Sequence, residues 1–454
     1  MKGTKLQDVL KARFKNHGGA KVSHYKNTKA QKVVRMPAPA KVILPMVQHI
    51  GAPCAPTVKV GDEVAVGQVI GDSEAFVSAP IHATVSGKVV SVGNVKISTG
   101  AEIPGVTIES DGQMRLFDGI KPPKFDTKEE FLKAVRNSGL VGLGGAGFPA
   151  HVKLNFKDEL NVDTLIINAA ECEPFITVDY REMIEHASDV LYGLYQTKKA
   201  IGFKNIIIAV EDNKKDVFDV LKQADEKLPE SDHSVQFVML KSQYPQGAEK
   251  VLIRSVTGRE VPIGKLPADA GVVVMNVASI AFLGRYLKTG KPLVSRSLTV
   301  DGSAVAEPKN VRVPLGTPIC DLIEFCGGLK SDPYKITMGG PMMGITVPEL
   351  CVPVIKNNNA ILCFAKDELP IKKETNCINC GKCVRTCPMK LTPCRISKAY
   401  KNKDVESLKA FYTNNCMECG CCSYVCPAGI ALVQNIKLGK ALLKEEQLKE
   451  AAEK

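Results

Sequence analysis

The rhythm of apolar and polar positions changes several times along the chain. Residues 37–95 alternate in short runs broken by glycine and proline: Ala40-Lys-Val-Ile-Leu-Pro, Thr57-Val-Lys-Val-Gly-Asp-Glu-Val, Gly67-Gln-Val-Ile-Gly and Ala83-Thr-Val-Ser-Gly-Lys-Val-Val-Ser-Val. Period-two alternation between turn residues predicts a small all-β unit. After the proline-containing linker 119–123, Thr127–Asn137 is helical in period, with Phe131, Leu132 and Val135 on one face. Apolar runs at Thr164–Asn168, Ile206–Val210, Val235–Leu240 and Val272–Met275 predict strands, separated by helical segments at Asp179–Lys198, Lys214–Leu228 and Gly247–Thr257. Such alternation predicts a parallel sheet with ligands at the carboxyl ends of its strands. Residues 396–413 are helical in composition. At the other end, Leu6, Val9, Leu10 and Phe14 share one face at helical spacing and Gly18-Gly19 follows, which predicts a short amphipathic helix.

Cysteine placement adds chemistry to this outline. Cys377, Cys380, Cys383 and Cys387 precede Pro388, and Cys416, Cys419, Cys422 and Cys426 precede Pro427. Both runs read C-x2-C-x2-C-x3-C-P, the spacing of cubane iron–sulfur ligands, in which the fourth cysteine serves the other cluster. Zinc ribbons pair two short knuckles across a spacer and fit this crowding poorly. Two [4Fe-4S] clusters are therefore expected. Cys377, Cys380, Cys383 and Cys426 would hold one; Cys416, Cys419, Cys422 and Cys387 would hold the other. The other eight of the sixteen cysteines, Cys394 and Cys421 among them, are expected as reduced thiols in a reducing compartment. The Lys-rich start has no apolar segment of the secretory kind.

Charge is unevenly spread. The net charge is +12, and residues 1–41 hold eleven Lys or Arg against the single acid Asp8. No nucleic-acid recognition motif accompanies this basic arm. An anionic partner subunit or lipid surface is expected instead, with a merely solvated tail as the alternative. The most apolar stretch, 270–284, falls short of the ~20 residues that span a bilayer.

The loop Gly142-Leu-Gly144-Gly145-Ala-Gly147-Phe148-Pro149 contains G-x-G-x-x-G, but a helix precedes it and Pro149 follows, so the standard dinucleotide fingerprint is rejected. Its glycines still allow backbone N–H groups close to an anion or a flat ring. This loop, Asn168-x-x-Glu171-x-Glu173-Pro174, Gly247-x-Glu249 and Asn276 follow one another as in the flavin- and NADH-binding subunit of respiratory complex I, which the region resembles. Departures stand at Ala170, Cys172, Ala248 and Met275. The phrases "VKVGDEVAVGQVIG" and "APIHATVSGKVVSV" resemble the barrel-sandwich hybrid of biotinyl and lipoyl domains, with Ala79–Ala83 in place of the lysine-bearing tip. Residues 296–350 resemble a ligand-binding β-grasp module. Taken together, the chain resembles the RnfC family of the Rnf electron-transport complex over nearly all of its 454 residues.

That resemblance implies a multidomain α/β protein. It comprises a basic arm (1–36), a barrel-sandwich hybrid (37–118), a Rossmann-like FMN/NAD(H) domain with a parallel sheet (124–292), a β-grasp module of the SLBB kind (293–352), an α-helical two-cluster ferredoxin domain (366–440) and a helical tail (441–454). It implies FMN phosphate and ribityl groups on Gly142, Gly144, Gly145, Gly147 and Lys153, and the flavin on Asn168, Glu171 and Asn276. Phe148 would stack on the nicotinamide nucleotide, with Glu173, Gly247, Glu249 and Lys265 around its site. No side chain is expected as a catalyst, since hydride passes between cofactors. The implied function is that of the peripheral NAD(H)-reactive subunit of an ion-translocating ferredoxin:NAD+ oxidoreductase. It would lie on the cytoplasmic face of the membrane, with the other subunits as partners and ferredoxin reached indirectly. A cobalamin reductase of propanediol utilisation and a non-enzymatic electron relay are the competing readings.

Overall fold

The structure is a computed structural model and describes residues 9–369 and 372–452. A five-stranded parallel sheet organises it, in the order Leu10–Lys11, Val235–Leu240, Asn205–Glu211, Thr164–Ala169, Val272–Asn276. Leu165 and Ile167 pack into one layer with Val190, Leu194 and Ile280, whereas Ile166 packs into the other with Leu252, Ile253 and Val274. Burial on both faces is why these strands read as unbroken apolar runs. The helix expected over 179–198 is two helices, Val178–Glu185 and Ala187–Ile201, which meet at His186. Helices Ala187–Ile201 and Val277–Thr289 touch backbone to backbone: a Cβ on Gly193 would lie 2.2 Å from the Ile280 carbonyl oxygen.

The barrel-sandwich unit closes two antiparallel sheets on Val42, Leu44, Ile70, Ile81, Val89 and Ile108. The segment Ala79–Ala83, expected as a turn, carries the strand Ile81–His82 and is docked on the parallel-sheet domain. Lys356 Nζ donates to Pro80 O at 2.7 Å and to Gly139 O at 2.9 Å, joining the two units. A six-stranded mixed sheet follows, in the order Ile345–Thr346, Lys335–Met338, Ala360–Phe364, Ser295–Asp301, Lys309–Pro314, Val34–Arg35. Ala360–Phe364 sits inside this sheet, so a module ending at 352 omits one of its central strands. The cysteine-rich end is all helix. Leu432–Ala452 is one continuous helix across the expected boundary at 440, with Leu432, Ile436, Gly439 and Leu443 as its buried stripe.

The arm departs most from expectation. Leu10–Lys11 is a strand, not part of a helix, and pairs in parallel with Val238 and Met239. Phe14 lies against Gly258, where a Cβ would come within 2.5 Å of its ring. Leu6 lies outside the described residues. The physical reason is the open edge of the sheet: unpaired N–H and C=O groups of Val235–Leu240 need partners, and a two-turn helix is marginal by itself. Beyond this strand the arm runs as a strap over the cysteine-rich end, the parallel-sheet domain and the mixed sheet. Gly19 N–H donates to Thr386 O at 2.8 Å, Ala20 N–H to Tyr244 O at 2.8 Å, and Val34–Arg35 completes the mixed sheet.

Gly193→Ala should cost about 1–3 kcal/mol despite the better helix propensity of alanine, because the added methyl forces two helices apart. A fall in the denaturant midpoint checks this, and an unchanged midpoint would show that the helix pair can separate freely.

Candidate functional site

The carboxyl ends of the parallel strands carry most of the candidate residues. The glycine loop is closed by Gly142 N–H to Phe148 O at 2.8 Å and Gly147 N–H to Gly142 O at 3.2 Å. Its φ angles of +117° at Gly145 and +67° at Gly147 exclude most side chains. Three neighbouring segments hold it from outside. Ile50 N–H donates to Gly147 O at 3.1 Å, Asn357 Nδ2 to Gly145 O at 2.7 Å, and Arg296 Nη2 to Leu143 O. Gly144 and Gly145 remain exposed to the groove.

Asn276 caps helix Val277–Thr289 through Ala278 N–H at 3.0 Å and gives its amide to Asp179 Oδ2 at 2.7 Å. Lys153 Nζ reaches Glu249 Oε1 at 2.7 Å and Val274 O at 3.0 Å. Asn168 Nδ2 donates to Gly247 O at 2.8 Å. Gly247 is required by close approach, since a Cβ there would lie 2.5 Å from Ala170 O. The structure thus brings Gly144, Lys153, Asn168, Gly247, Glu249 and Asn276 to one groove. Phe148 is half-buried beside the loop, and exposed Lys265 makes no hydrogen bond or ion pair with the other candidates among the described residues.

Glu171 and Glu173 are engaged differently. Glu171 accepts from Asp179 N–H at 2.7 Å; its Oε2 lies 3.9 Å from both Lys26 and Lys214 Nζ, and burial pushes its carboxyl above the usual range. Glu173 accepts from Met342 N–H at 3.1 Å, its Oε1 lies 3.3 Å from Tyr244 Oη, and burial holds its carboxyl up at about 7. Sequence reasoning missed four residues here. Lys26 Nζ, from the strap, donates to the carbonyls of Glu171, Glu173 and Ile176 at 2.9, 2.8 and 2.5 Å. Asp179, Tyr244 and Arg296 are the others. Tyr244 stands three residues before Gly247 and was within reach of that motif; Lys26 was hidden in the arm's overall charge.

The groove fits a polar ligand. Among the described residues Asp179 Oδ1, Arg296 Nη1 and Asn357 Oδ1 are buried without a partner, and each belongs to a residue that holds the glycine loop or Asn276. Buried polar atoms are rarely left so. The cysteine end likewise fits a cluster. Cys387, Cys416, Cys419 and Cys422, with apolar neighbours such as Leu391 and Ile436, line one small cavity. One thiol of the first run therefore stands with three of the second. Both runs make the same turn, with positive φ at Asn379 and Gly381 and again at Glu418 and Gly420. Cys426 is buried, Cys380 and Cys383 are half-buried and Cys377 is exposed. Cys421 is buried and lines the same cavity; Cys394 is half-buried.

Lys26→Met should cost about 3–5 kcal/mol, because it leaves Glu171 with one buried counter-charge fewer and three carbonyls unpaired. Urea unfolding would read the loss, and Lys26→Arg should not restore three short carbonyl bonds. Glu173 sets a pH dependence. Its carboxyl is raised from 4.5 to about 7 in the fold, so between those values the folded state keeps a proton that the unfolded state has released. Stability contributed by this group is full below 4.5 and is lost as pH rises through 7. Glu173→Gln should flatten that part of a denaturant-midpoint profile.

Comparison with known proteins accounts for each unit. The RnfC barrel sandwich hybrid domain matches residues 14–113, the Nuo51 FMN-binding domain 135–285, the SLBB domain 297–346 and the 4Fe-4S dicluster domain 376–430. The chain is 45% identical over 365 residues to the RnfC-type member of the Na(+)-translocating ferredoxin:NAD(+) oxidoreductase complex of Acetobacterium woodii, covering 79% of this chain and 81% of that one. It is 43% identical over 385 residues to the proton-translocating counterpart of Clostridium ljungdahlii, covering 84% and 83%. The crystal structure of an NAD+-reducing [NiFe]-hydrogenase in the H2-reduced state shares the fold, with a TM-score of 0.50 and 19% identity over 70% of this chain and 63% of that one. The chain belongs to the RnfC family, a component of the ion-translocating ferredoxin:NAD+ oxidoreductase complexes of the Rnf type.

Proposed function

We propose that the protein exchanges hydride between NAD(H) and FMN and passes electrons one at a time through two [4Fe-4S] clusters, as the peripheral subunit of such a complex. One observation carries the reading: the glycine loop with its neighbours at the strand ends and a cysteine-lined cavity share one chain, and Tyr244, 3.3 Å from Glu173 Oε1, donates to Cys419 O beside that cavity. When bound, FMN supplies the exchange between two-electron and one-electron chemistry that neither a nicotinamide nor a cluster performs alone.

The chain's own residues bind and orient. The loop backbone of Gly142, Gly144, Gly145 and Gly147, exposed at Gly144 and Gly145, would with Lys153 receive the phosphate-bearing arm of FMN; Asn168, Glu171 and Asn276 would orient its ring. Phe148 offers a face to the nicotinamide nucleotide, and Glu173, Glu249 and Lys265 line its path, where carboxylates suit ribose hydroxyls. Cys377, Cys380, Cys383 and Cys426 hold one cluster and Cys416, Cys419, Cys422 and Cys387 the other; the shared cavity of the last four supports that crossed assignment. Among the described residues no helix is long and apolar enough to cross a membrane. The outward charges of the strap, Lys11, Arg13, Lys15, Lys21, Lys32 and Arg35, suit an anionic partner subunit or the adjoining cytoplasmic membrane face.

An anaerobic titration of reconstituted protein tests the reading. FMN should be released unmodified on denaturation, and NADH should bleach flavin and cluster absorption together. Full clusters with no flavin would overturn it and leave an electron relay without nicotinamide chemistry.

A further inference from the structure

The β-grasp module carries a pair of thiols that the proposed electron chemistry does not use. Cys320 Sγ lies 3.8 Å from Cys351 Sγ, although the two residues are 31 apart along the chain. Among the described cysteines outside the two runs, Cys351 alone is exposed, and Cys320 beside it is half-buried.

The backbone fixes this meeting. Pro318 and Pro353 pair as an antiparallel bridge, and two steps inward from each stand Cys320 and Cys351. Ile319 N–H donates to Val352 O at 3.0 Å, and Cys320 N–H to Leu350 O at 3.1 Å. Ile319 and Val352 are fully buried in the core of the module, so the two backbones are held together from below. Residues that face each other on antiparallel backbones stand ~4.5–5.5 Å apart at Cα, inside the span that a disulfide bridges. The sulfurs touch without being bonded, and rotation of the side chains about Cα–Cβ is what closure asks.

The two thiols differ. Cys320 S–H donates to Asp321 Oδ1 at 3.5 Å, and burial, followed by Cys351 and Asp321, pushes it up to about 11. Its proton is held. Cys351 is open to solvent, where its thiolate can meet a reagent. The segment that carries Cys351 also reaches the barrel-sandwich unit, since Glu349 Oε1 pairs with Lys96 Nζ at 3.1 Å.

We propose that Cys320 and Cys351 form a thiol–disulfide site, oxidised by low-molecular-weight disulfides and reduced by small thiols, whose closure clamps the Glu349 segment to helix Ile319–Phe325. The Cys351 thiolate attacks one sulfur of the small disulfide, and the departing thiolate takes up the proton that Cys351 gave to solvent. Cys320 then attacks Cys351 Sγ; its proton passes to Asp321 and on to the second departing thiolate. Two protein thiols and one small disulfide thus give one protein disulfide and two small thiols, with two electrons passing from protein to reagent. An exposed disulfide of this kind is readily reduced again.

Incubating the anaerobically purified full chain with oxidised glutathione tests the site. Wild-type protein should lose two reactive thiols, its peptide map should join the peptides of Cys320 and Cys351, and dithiothreitol should restore both. Cys320→Ser should stop after the first step and keep one glutathione on Cys351, whereas Cys351→Ser should lose no thiol at this place. Closure constrains the unfolded chain, so oxidation should raise the denaturant midpoint of the wild type and leave that of Cys320→Ser where it was. A wild type that retains glutathione on Cys351, that joins Cys351 to another cysteine or that leaves it unreacted would overturn the site. A link that forms without moving the midpoint would overturn the clamp.

Discussion

An ammonium group has three protons, and Lys26 directs all three at the backbone of one loop. That arrangement needs the charged form, because a neutral amine has only two protons to give. Burial works against the charge, and Glu171 nearby works for it. The acidic loop is thereby wound around a cation supplied by the strap, with Tyr25 stacked on Phe175 at 4.9 Å to close the same turn. Without this cation, Glu171 would sit buried among carbonyl oxygens with only Lys214 opposite, and the strand-end groove would lose one wall.

A second buried lysine joins two units in the same way. Lys356 is 1% exposed and sits between the carbonyls of the docked segment and of Gly139. Lys214 pairs with Glu211 at 2.6 Å beside Glu171. Loop ends pressed together bury acceptors that no sheet or helix satisfies. A lysine can reach such a place on a long apolar stem and deliver several donors at once. The joint at Lys356 is therefore polar and directional, which holds the barrel-sandwich unit in register with the parallel-sheet domain.

What could be read from the sequence follows the range of the interactions involved. The parallel strands and both cysteine runs are written in local spacing, and the fold contains the strands with their edges moved by a residue or two; in the barrel-sandwich unit only Glu63–Val64 of the run 57–64 is strand, and Glu102–Ser110 lies outside the alternating runs. The glycine loop and Asn168, Gly247 and Asn276 announced themselves through motif order. The arm did not. Leu10 and Phe14 share a helical face on paper, yet an unpaired sheet edge more than 220 residues away decides their conformation. Lys26, Tyr244 and Arg296 act through partners on other units, and Ala360–Phe364 joins a sheet whose other strands end well before it. Spacing along the chain carries no trace of such contacts.

The strap also has a consequence for how the molecule comes into being. Its partners at Val238, Tyr244, Arg312 and Thr386 lie more than 220 residues further along the chain. Contacts of such long sequence separation form slowly, since the chain between must first be brought to order. Until then the newly made segment has nowhere to bind, and the sheet edge at Val235–Leu240 stays open to other chains. Seating the strap is thus a late event of assembly, and it is the event that covers that edge.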